Sequence, residues 1–289
     1  MLLEKSTFFL TTWIFFGQNL KVTLAKQLRL YLHKSLLCFC LWGLGVLDTA
    51  TVYAADPPPF QVGEKLTYHF YWEVFMVGRG TFEVREIQED GSYVFVVQIK
   101  SNDFISNLYP VEDLITSVFD LKRKRAIRFL QDRKEGANRV HEETLFSYKA
   151  GQGTTESLIT KEKKEFEIPK KGVQDKLSFI YYMRCLDWKD RSEASTTLGN
   201  DKGNYEVKIT KLKTETLKLD DFEKIQTFKV EPDMEYLAGF VKKGKMSVWV
   251  SDDRFKIPVR VISKLPAGTV SASLVKVEGV DGWPYDRKD

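Results

Sequence analysis

Apolar and polar residues alternate with period two along most of this chain beyond residue 60, and that rhythm fixes the fold class. Leu66, Tyr68, Phe70 and Trp72 fall on one face of an extended segment, with Lys65, Thr67, His69, Tyr71 and Glu73 on the other. Such a segment is a β-strand with one buried and one wetter face. Phe82 and Val84 continue the rhythm after a bend expected at Gly78-Arg79-Gly80. Glu89-Asp90-Gly91-Ser92 is a hairpin turn ahead of a strand over 93–99. Further strands are predicted over 114–120, 126–133, 140–148, 156–161 and 165–169, then over 205–212, 215–219, 224–230, 245–251, 258–264 and 269–277. Gly or Pro marks the turns Lys242-Lys243-Gly244 and Pro266-Ala267-Gly268. About a dozen evenly spaced strands predict a mainly β chain, an antiparallel sheet curved into a barrel or half-barrel.

One segment breaks the rhythm. Residues 175–188 read as a helix, with Asp175 as its N-cap. Leu177, Ile180, Tyr181 and Arg184 share one face, while Phe179, Tyr182, Met183 and Leu186 fill the others. A helix apolar nearly all round is buried, so it is expected to lie in the concave face of the sheet. A charge in such a helix needs a partner. Arg184 is therefore predicted to pair with a carboxylate, and Glu64 is the candidate. A second short helical turn is expected over 103–109, stopped by Pro110.

The first 55 residues belong to a different regime. Residues 35–47 are an apolar run, preceded by Lys21, Lys26, Arg29 and Lys34 and followed by Val52-Tyr53-Ala54. That order is a secretory signal peptide cleaved near Ala54-Ala55, which predicts an exported, periplasmic protein. The signal is longer than usual, so residues 1–20 read as an over-extension, and a start near Val22 or Leu28 would leave one of ordinary length. The remaining 234 of 289 residues, 56–289, are expected to form one β-rich exported domain. They carry 39 basic and 38 acidic side chains. Near neutrality argues against a nucleic-acid partner. Cys185 is the one cysteine beyond Cys38 and Cys40, so this part has no internal disulfide.

Three stretches resemble a known family. They are Gly63-Glu64-Lys65-Leu66-Thr67-Tyr68 with Gly78-Arg79-Gly80, then 175–184, then Val248-Trp249-Val250-Ser251-Asp252 with Pro258-Val259 and a last strand led by Gly268. Together they are similar to the bacterial exported family called domain of unknown function 3108, over most of residues 60–278. The resemblance implies an exported β protein without established activity, and it supplies no catalytic residues. Its structural positions here are Gly63, Glu64, Gly78, Asp175, Arg184, Asp252 and Pro258. Lys176 departs from the family's frequent proline. The closing pattern also resembles the lipoprotein-carrier (Lol-type) half-barrels, a likeness of fold that does not transmit function.

Catalytic patterns are weak. His69 and His141 stand apart among polar neighbours, no Gly-x-Ser-x-Gly elbow occurs, and two histidines with one cysteine do not make a zinc set. Acidic groups such as Glu142-Glu143, Asp220-Asp221 and Asp252-Asp253 fall mostly at predicted turns. The basic run Lys122-Arg123-Lys124-Arg125 reads as a solvated turn. No enzyme activity, metal or cofactor is expected. The leading expectation is a binding protein for a lipid or other hydrophobic or amphipathic ligand, with Tyr68, Phe70, Trp72, Tyr181 and Trp249 as candidate contacts. The alternatives are an envelope assembly factor that binds protein or polysaccharide, and a glycan hydrolase with two facing carboxylates.

Overall fold

A computed structural model of the protein describes residues 57–233, 245–265, 268–285 and 287–288. The signal segment and the turns at 242–244 and 266–267 lie outside the described residues. Those from Pro58 onward fall in one compact unit.

The first alternating segment is β1 (Lys65–Trp72), whose Leu66, Tyr68 and Phe70 are buried. The chain then runs through β2 (Phe75–Ile87), β3 (Tyr93–Ser101), α1 (Asp103–Leu108), β4 (Val111–Asp120), β5 (Arg125–Glu135), β6 (Asn138–Ser147), β7 (Gln152–Ser157) and β8 (Lys163–Glu167). After α2 (Ser178–Arg184) come β9 (Glu193–Asn200), β10 (Gly203–Leu217), β11 (Ile225–Pro232), β12 (Lys245–Ser251), β13 (Pro258–Leu265) and β14 (Gly268–Glu278). The strands make one 14-stranded sheet, with β14 returning to pair with β1 in the middle and β8 and β9 at its two ends. Every neighbouring pair is antiparallel, and the sheet curves until it is nearly closed into a barrel.

The connection between β8 and α2 crosses the remaining gap. Val173 O accepts from Ala126 N of β5 at 2.9 Å. One residue on, Gln174 N donates to Thr197 O (2.8 Å) and Gln174 O accepts from Gly199 N (3.0 Å), a short parallel bridge onto β9. β5 and the end strand β9 are thus joined through a segment of non-strand backbone.

Strand directions define two ends. One end holds the turns 88–92, 121–124, 148–151 and 218–224, and the other holds the turn 73–74, α1, and the turns 136–137, 158–162 and 201–202. The first end is plugged. Phe60 lies edge-on to Tyr93, Phe95 and Tyr181, and Phe255, Trp283 and Tyr285 contact one another in sequence.

Helix α2 lies inside, between two walls. Leu177 and Tyr181 join the larger core with Phe95, Ile115 and Phe119. Phe179 and Met183 join a second core with Val207, Phe228, Val230 and Val248. That explains why the segment is apolar nearly all round. Arg184, 1% exposed, makes a bidentate ion pair with Glu64, which is fully buried. Its Nη2 reaches Glu64 Oε2 at 2.8 Å and Pro59 O at 2.7 Å, and Nε donates to Phe255 O at 3.0 Å. Four of the guanidinium's five N–H donors are thereby used. Burial works against the charged guanidinium, yet Glu64 holds its pKa above the ordinary value.

Several sequence expectations need correction. The helix spans 178–184, about two turns, and not 175–188. Asp175 still serves its start, because Oδ1 accepts from Leu177 N and Ser178 N at 2.8 Å. The helix stops at Cys185. The chain then turns so that Leu186 and Trp188 enter the second core, with Trp188 Nε1 donating to Met183 O. Gly78-Arg79-Gly80 is no bend but the middle of β2. A Cβ on Gly78 would stand 2.6 Å from Lys100 O, so glycine there permits close strand approach. The strands expected at 205–212 and 215–219 are one strand with an irregularity between Lys211 and Thr214. The strand expected at 156–161 is β7, four residues earlier, and β9 was not predicted. Asp252 is exposed, and its neighbour Asp253 holds the turn by accepting from Phe255 N and Lys256 N.

Removing one partner of the buried pair should be costly. Glu64→Gln or Arg184→Met is expected to lose about 3–5 kcal/mol, because either leaves a buried charge uncompensated. The double change Glu64→Leu/Arg184→Met should lose less than either single change, since no charge remains. Urea unfolding of the three variants measures this, and single variants within about 1 kcal/mol of the parent would contradict the role given to the pair.

Candidate functional site

The plug and α2 do not fill the barrel. Between the helix, the inner faces of β5 to β7 and those of β9, β12 and β13 lies a cavity of about 310 Å³. Its size falls in the range typical of small-molecule sites, roughly 300–1,000 Å³. Its wall carries apolar side chains, among them Leu66, Phe82, Phe129, Phe179, Met183 and Val248. It also carries the polar Gln131, Arg133, Glu142, Gln174, Lys176 and Lys202. The wall reaches solvent at exposed Lys164, which stands 3.8 Å from Asp201. Lys164, Val140, Asp201 and Lys202 all belong to the unplugged end, so the cavity opens there.

The electrostatics are uneven. Lys176, half-buried at the start of α2, has its pKa pushed down to about 7, first by burial and then by Arg133 and Lys202. Lys202 is also lowered, mainly by burial. Burial raises Asp175 to about 6 despite hydrogen bonds from Ser117 Oγ (2.6 Å) and the helix start. Arg133 pairs with buried Glu135 and reaches Asp113 Oδ2 at 3.9 Å. Burial and then the Glu135 charge raise Asp113.

Two amides in this wall have their donor ends committed. Gln131 Nε2 donates to Glu142 Oε2 and Gln174 Nε2 to Lys124 O. The matching Oε1 atoms, with the Tyr181 hydroxyl, are buried without a hydrogen-bond partner among the described residues. All three side chains line the cavity. Such groups are costly to leave unmet in an apolar interior.

Of the five aromatic candidates, the cavity gathers Tyr68 and Tyr181. Tyr68 donates to Pro258 O at 2.7 Å, which ties β1 to the start of β13. Tyr181 stacks on Phe95 with ring centroids 3.5 Å apart. Phe70 is buried in the larger core beside Gly80 and does not line the cavity. Trp72 is 42% exposed at the barrel's open end. Trp249 sits between inward Val248 and Val250 and turns to the other face, where Nε1 donates to Glu215 Oε1 at 2.6 Å. Gly63 has φ +90° and donates its N–H to Val84 O, setting the approach of Glu64 to Arg184.

Other groups weighed on the sequence have structural surroundings. His69 and His141 lie on β1 and β6, separated by β2 to β5. Burial pushes the Cys185 thiol up to about 11, so it is not a thiolate at neutral pH. In the basic turn, Arg123 bonds Asp120, Lys124 Nζ donates to Cys185 O, and Arg125 stacks on Tyr148. Among the described residues, no group of three or more His, Cys, Asp or Glu side chains is placed to hold a metal ion. Sequence reasoning missed Gln131, Gln174 and Lys202, and it weighed Glu142 only as one of several acidic groups assigned mostly to turns, whereas it lies on β6. Lys176 drew notice only as a departure from a family pattern. A lysine within an otherwise apolar segment was the available signal.

One solved structure, a beta-barrel-like protein, agrees with this architecture. A family model described as "Protein of unknown function (DUF3108)" matches residues 67–275. No curated protein matches the chain. The crystal structure of a beta-barrel-like protein of domain of unknown function DUF1849 from Brucella abortus is similar at 11% identity and a TM-score of 0.54, covering 76% of this chain and 98% of that one. A "putative lipoprotein" from Parabacteroides distasonis ATCC 8503 aligns over 76% of this chain and 96% of its own, at 11% identity and a TM-score of 0.30.

Lys176 yields a prediction with a definite sign. Its folded pKa lies below its unfolded value, so its contribution to stability is present above pH ~10.5 and is lost as pH falls through about 7. The parent should therefore gain stability between about pH 7 and pH 10 through this group, and Lys176→Met should lack that gain. Urea midpoints at the two pH values compare them, and identical pH dependences would rule out the buried placement.

Proposed function

We propose, for a chain that belongs to the family described as "Protein of unknown function (DUF3108)", that it is a binding protein for an amphipathic ligand carried in the barrel interior. The observation that carries this reading is the mixed cavity wall. Apolar side chains from α2, β1, β2, β5, β6, β12 and β13 share it with amides and cations from β5, Gln174, Lys176 and the β9–β10 turn. A hydrocarbon part suits the apolar side chains. A polar group able to donate to Gln131 Oε1 and Gln174 Oε1, and to approach Lys176 and Lys202, suits the rest. The protein does this outside the cytoplasm, delivered by the signal ending near Ala54-Ala55, in a bacterial envelope. A non-catalytic role is favoured because the cavity's carboxylates have structural partners: Asp175 caps α2, Glu142 accepts from Gln131 and Asp201 lies 3.8 Å from Lys164.

Protein purified under non-denaturing conditions should release a lipid or lipid-like molecule into organic solvent, detected by mass spectrometry. Val248→Trp places a large side chain in the cavity and should lower that yield, while circular dichroism confirms the β fold. An extract free of lipid, with no uptake of a fluorescent fatty acid by the delipidated protein, would sink the proposal. Binding of an envelope protein or a polysaccharide by the same empty preparation would favour an assembly role.

A further inference from the structure

The apolar side chains left outside the two cores are not scattered evenly. Val74 is 81% exposed, Phe75 69%, Phe104 72% and Leu108 70%. Trp72 and Ile159 are exposed beside them in the chain order of the same rim. Val74 and Phe75 form the β1–β2 turn, Phe104 and Leu108 lie on α1, and Ile159 lies in the β7–β8 turn. Antiparallel strand directions put all three loops at the unplugged end, the end at which the cavity opens. The hairpin tip and α1 are also tied together, because Asn102 Nδ2 donates to Met76 O at 2.6 Å and Asn102 N to Val77 O at 3.0 Å. Asn102 Oδ1 meanwhile caps α1 by accepting from Ile105 N. These bonds hold the two apolar elements outward as a fixed unit.

We infer that this rim docks on a lipid surface, with the mouth of the cavity against it. A protein partner would be met by one continuous groove or face. Here the apolar groups stand on separate loops around one end of a barrel, which a flat, fluid surface can meet together. Half-exposed Trp72 joins Phe75 and Phe104 in giving the rim the aromatic character favoured at the interface between lipid and water. Among the described residues, two rim lysines are paired: Lys134 lies 3.7 Å from Glu112, and Lys163 lies 3.0 Å from Glu156. The contact is carried by the apolar side chains and should survive high salt. For its purpose, exchange of ligand between bilayer and cavity, the inference rests on the amphipathic-ligand reading. The contact itself does not.

The test uses the full chain and vesicles of phosphatidylethanolamine and phosphatidylglycerol, at low and high salt. Hydrogen exchange should slow at residues 73–76 and 103–108 when vesicles are added, and stay unchanged in β6. This readout reports the rim whatever the apolar run at 35–47 does. Val74→Asp/Phe104→Asp should lower the rim-dependent binding at least about tenfold, whereas Leu145→Asp on the barrel wall should leave it unchanged. Unprotected rim amides in vesicle-bound protein, no vesicle binding, or binding lost at high salt would each overturn the inference. Lipid extraction from the same preparation keeps the two readings apart. Ligand in the cavity without rim protection refutes docking alone, and rim protection with an empty cavity refutes the ligand alone.

Discussion

The ion pair between Arg184 and Glu64 is the joint on which the interior depends. It links the segment before β1, the end of α2 and the turn before β13, which are separated by 71 to 125 residues in sequence. A seven-residue helix is marginal in water. What fixes this one is its enclosure by two cores and the anchoring of its last residue. The pair is not a simple source of stability, because taking both charges out of water costs several kcal/mol per ion. Its value is positional: the remaining donors of the guanidinium find Pro59 O and Phe255 O, so the plug can close in one arrangement only. Gly63 and Gly279 belong to the same joint. Both have positive φ, and a Cβ on Gly279 would stand 2.1 Å from Gly63 O.

Much of this was legible in the sequence. Where the inner face is apolar, as in β1, β3, β4, β12 and β13, alternation located the strand, and the all-apolar helix with one arginine pointed to an enclosed helix and its partner. The failures are not random. The pattern misplaces β7 and misses β9, strands whose buried side chains include glycine and threonine and, in β9, the single large apolar Leu198. In β7, Gly153 and Thr155 are buried, and Thr155 shares a hydrogen bond with Thr144 of β6. In β9, Thr196, Thr197 and Leu198 are buried between polar neighbours. Threonine facing inward gives no hydrophobic period, so such strands read as loops. These strands adjoin the cavity. Loss of a clean pattern there marks the place where the interior stops being a packed core.

The site was less legible because its members come from opposite sides of the sheet order. Gln131 and Glu142 face Asp201 and Lys202 only because the segment at 173–175 draws β9 toward the β5 side. That closure depends on backbone hydrogen bonds, which any sequence can make, and no side-chain pattern announces it. The aromatic residues chosen from the sequence were those with the largest apolar surface, and that is why Phe70 was taken into the core. The cavity wall retained instead the tyrosines with a hydroxyl to place.

Geometry explains why a cavity remains at all. Eight strands enclose about as much space as inward side chains can fill, and this sheet has fourteen. The excess interior must be occupied by other chain, and α2 with the plug supplies it. A seven-residue helix is about 10 Å long, whereas ten-residue strands such as β4 and β6 run roughly 33 Å, or about 25 Å of barrel height when tilted. The helix therefore fills the plugged end and leaves the other end to side chains alone. Its last residue, Arg184, is held at the plugged end by Pro59 O, Glu64 and Phe255 O, and the chain turns at Cys185 to send Leu186 and Trp188 into the second core. Its first turn, preceded by Lys176, faces the cavity. The late start of α2 thus leaves the open volume, and the short helix and the cavity are one feature of the fold.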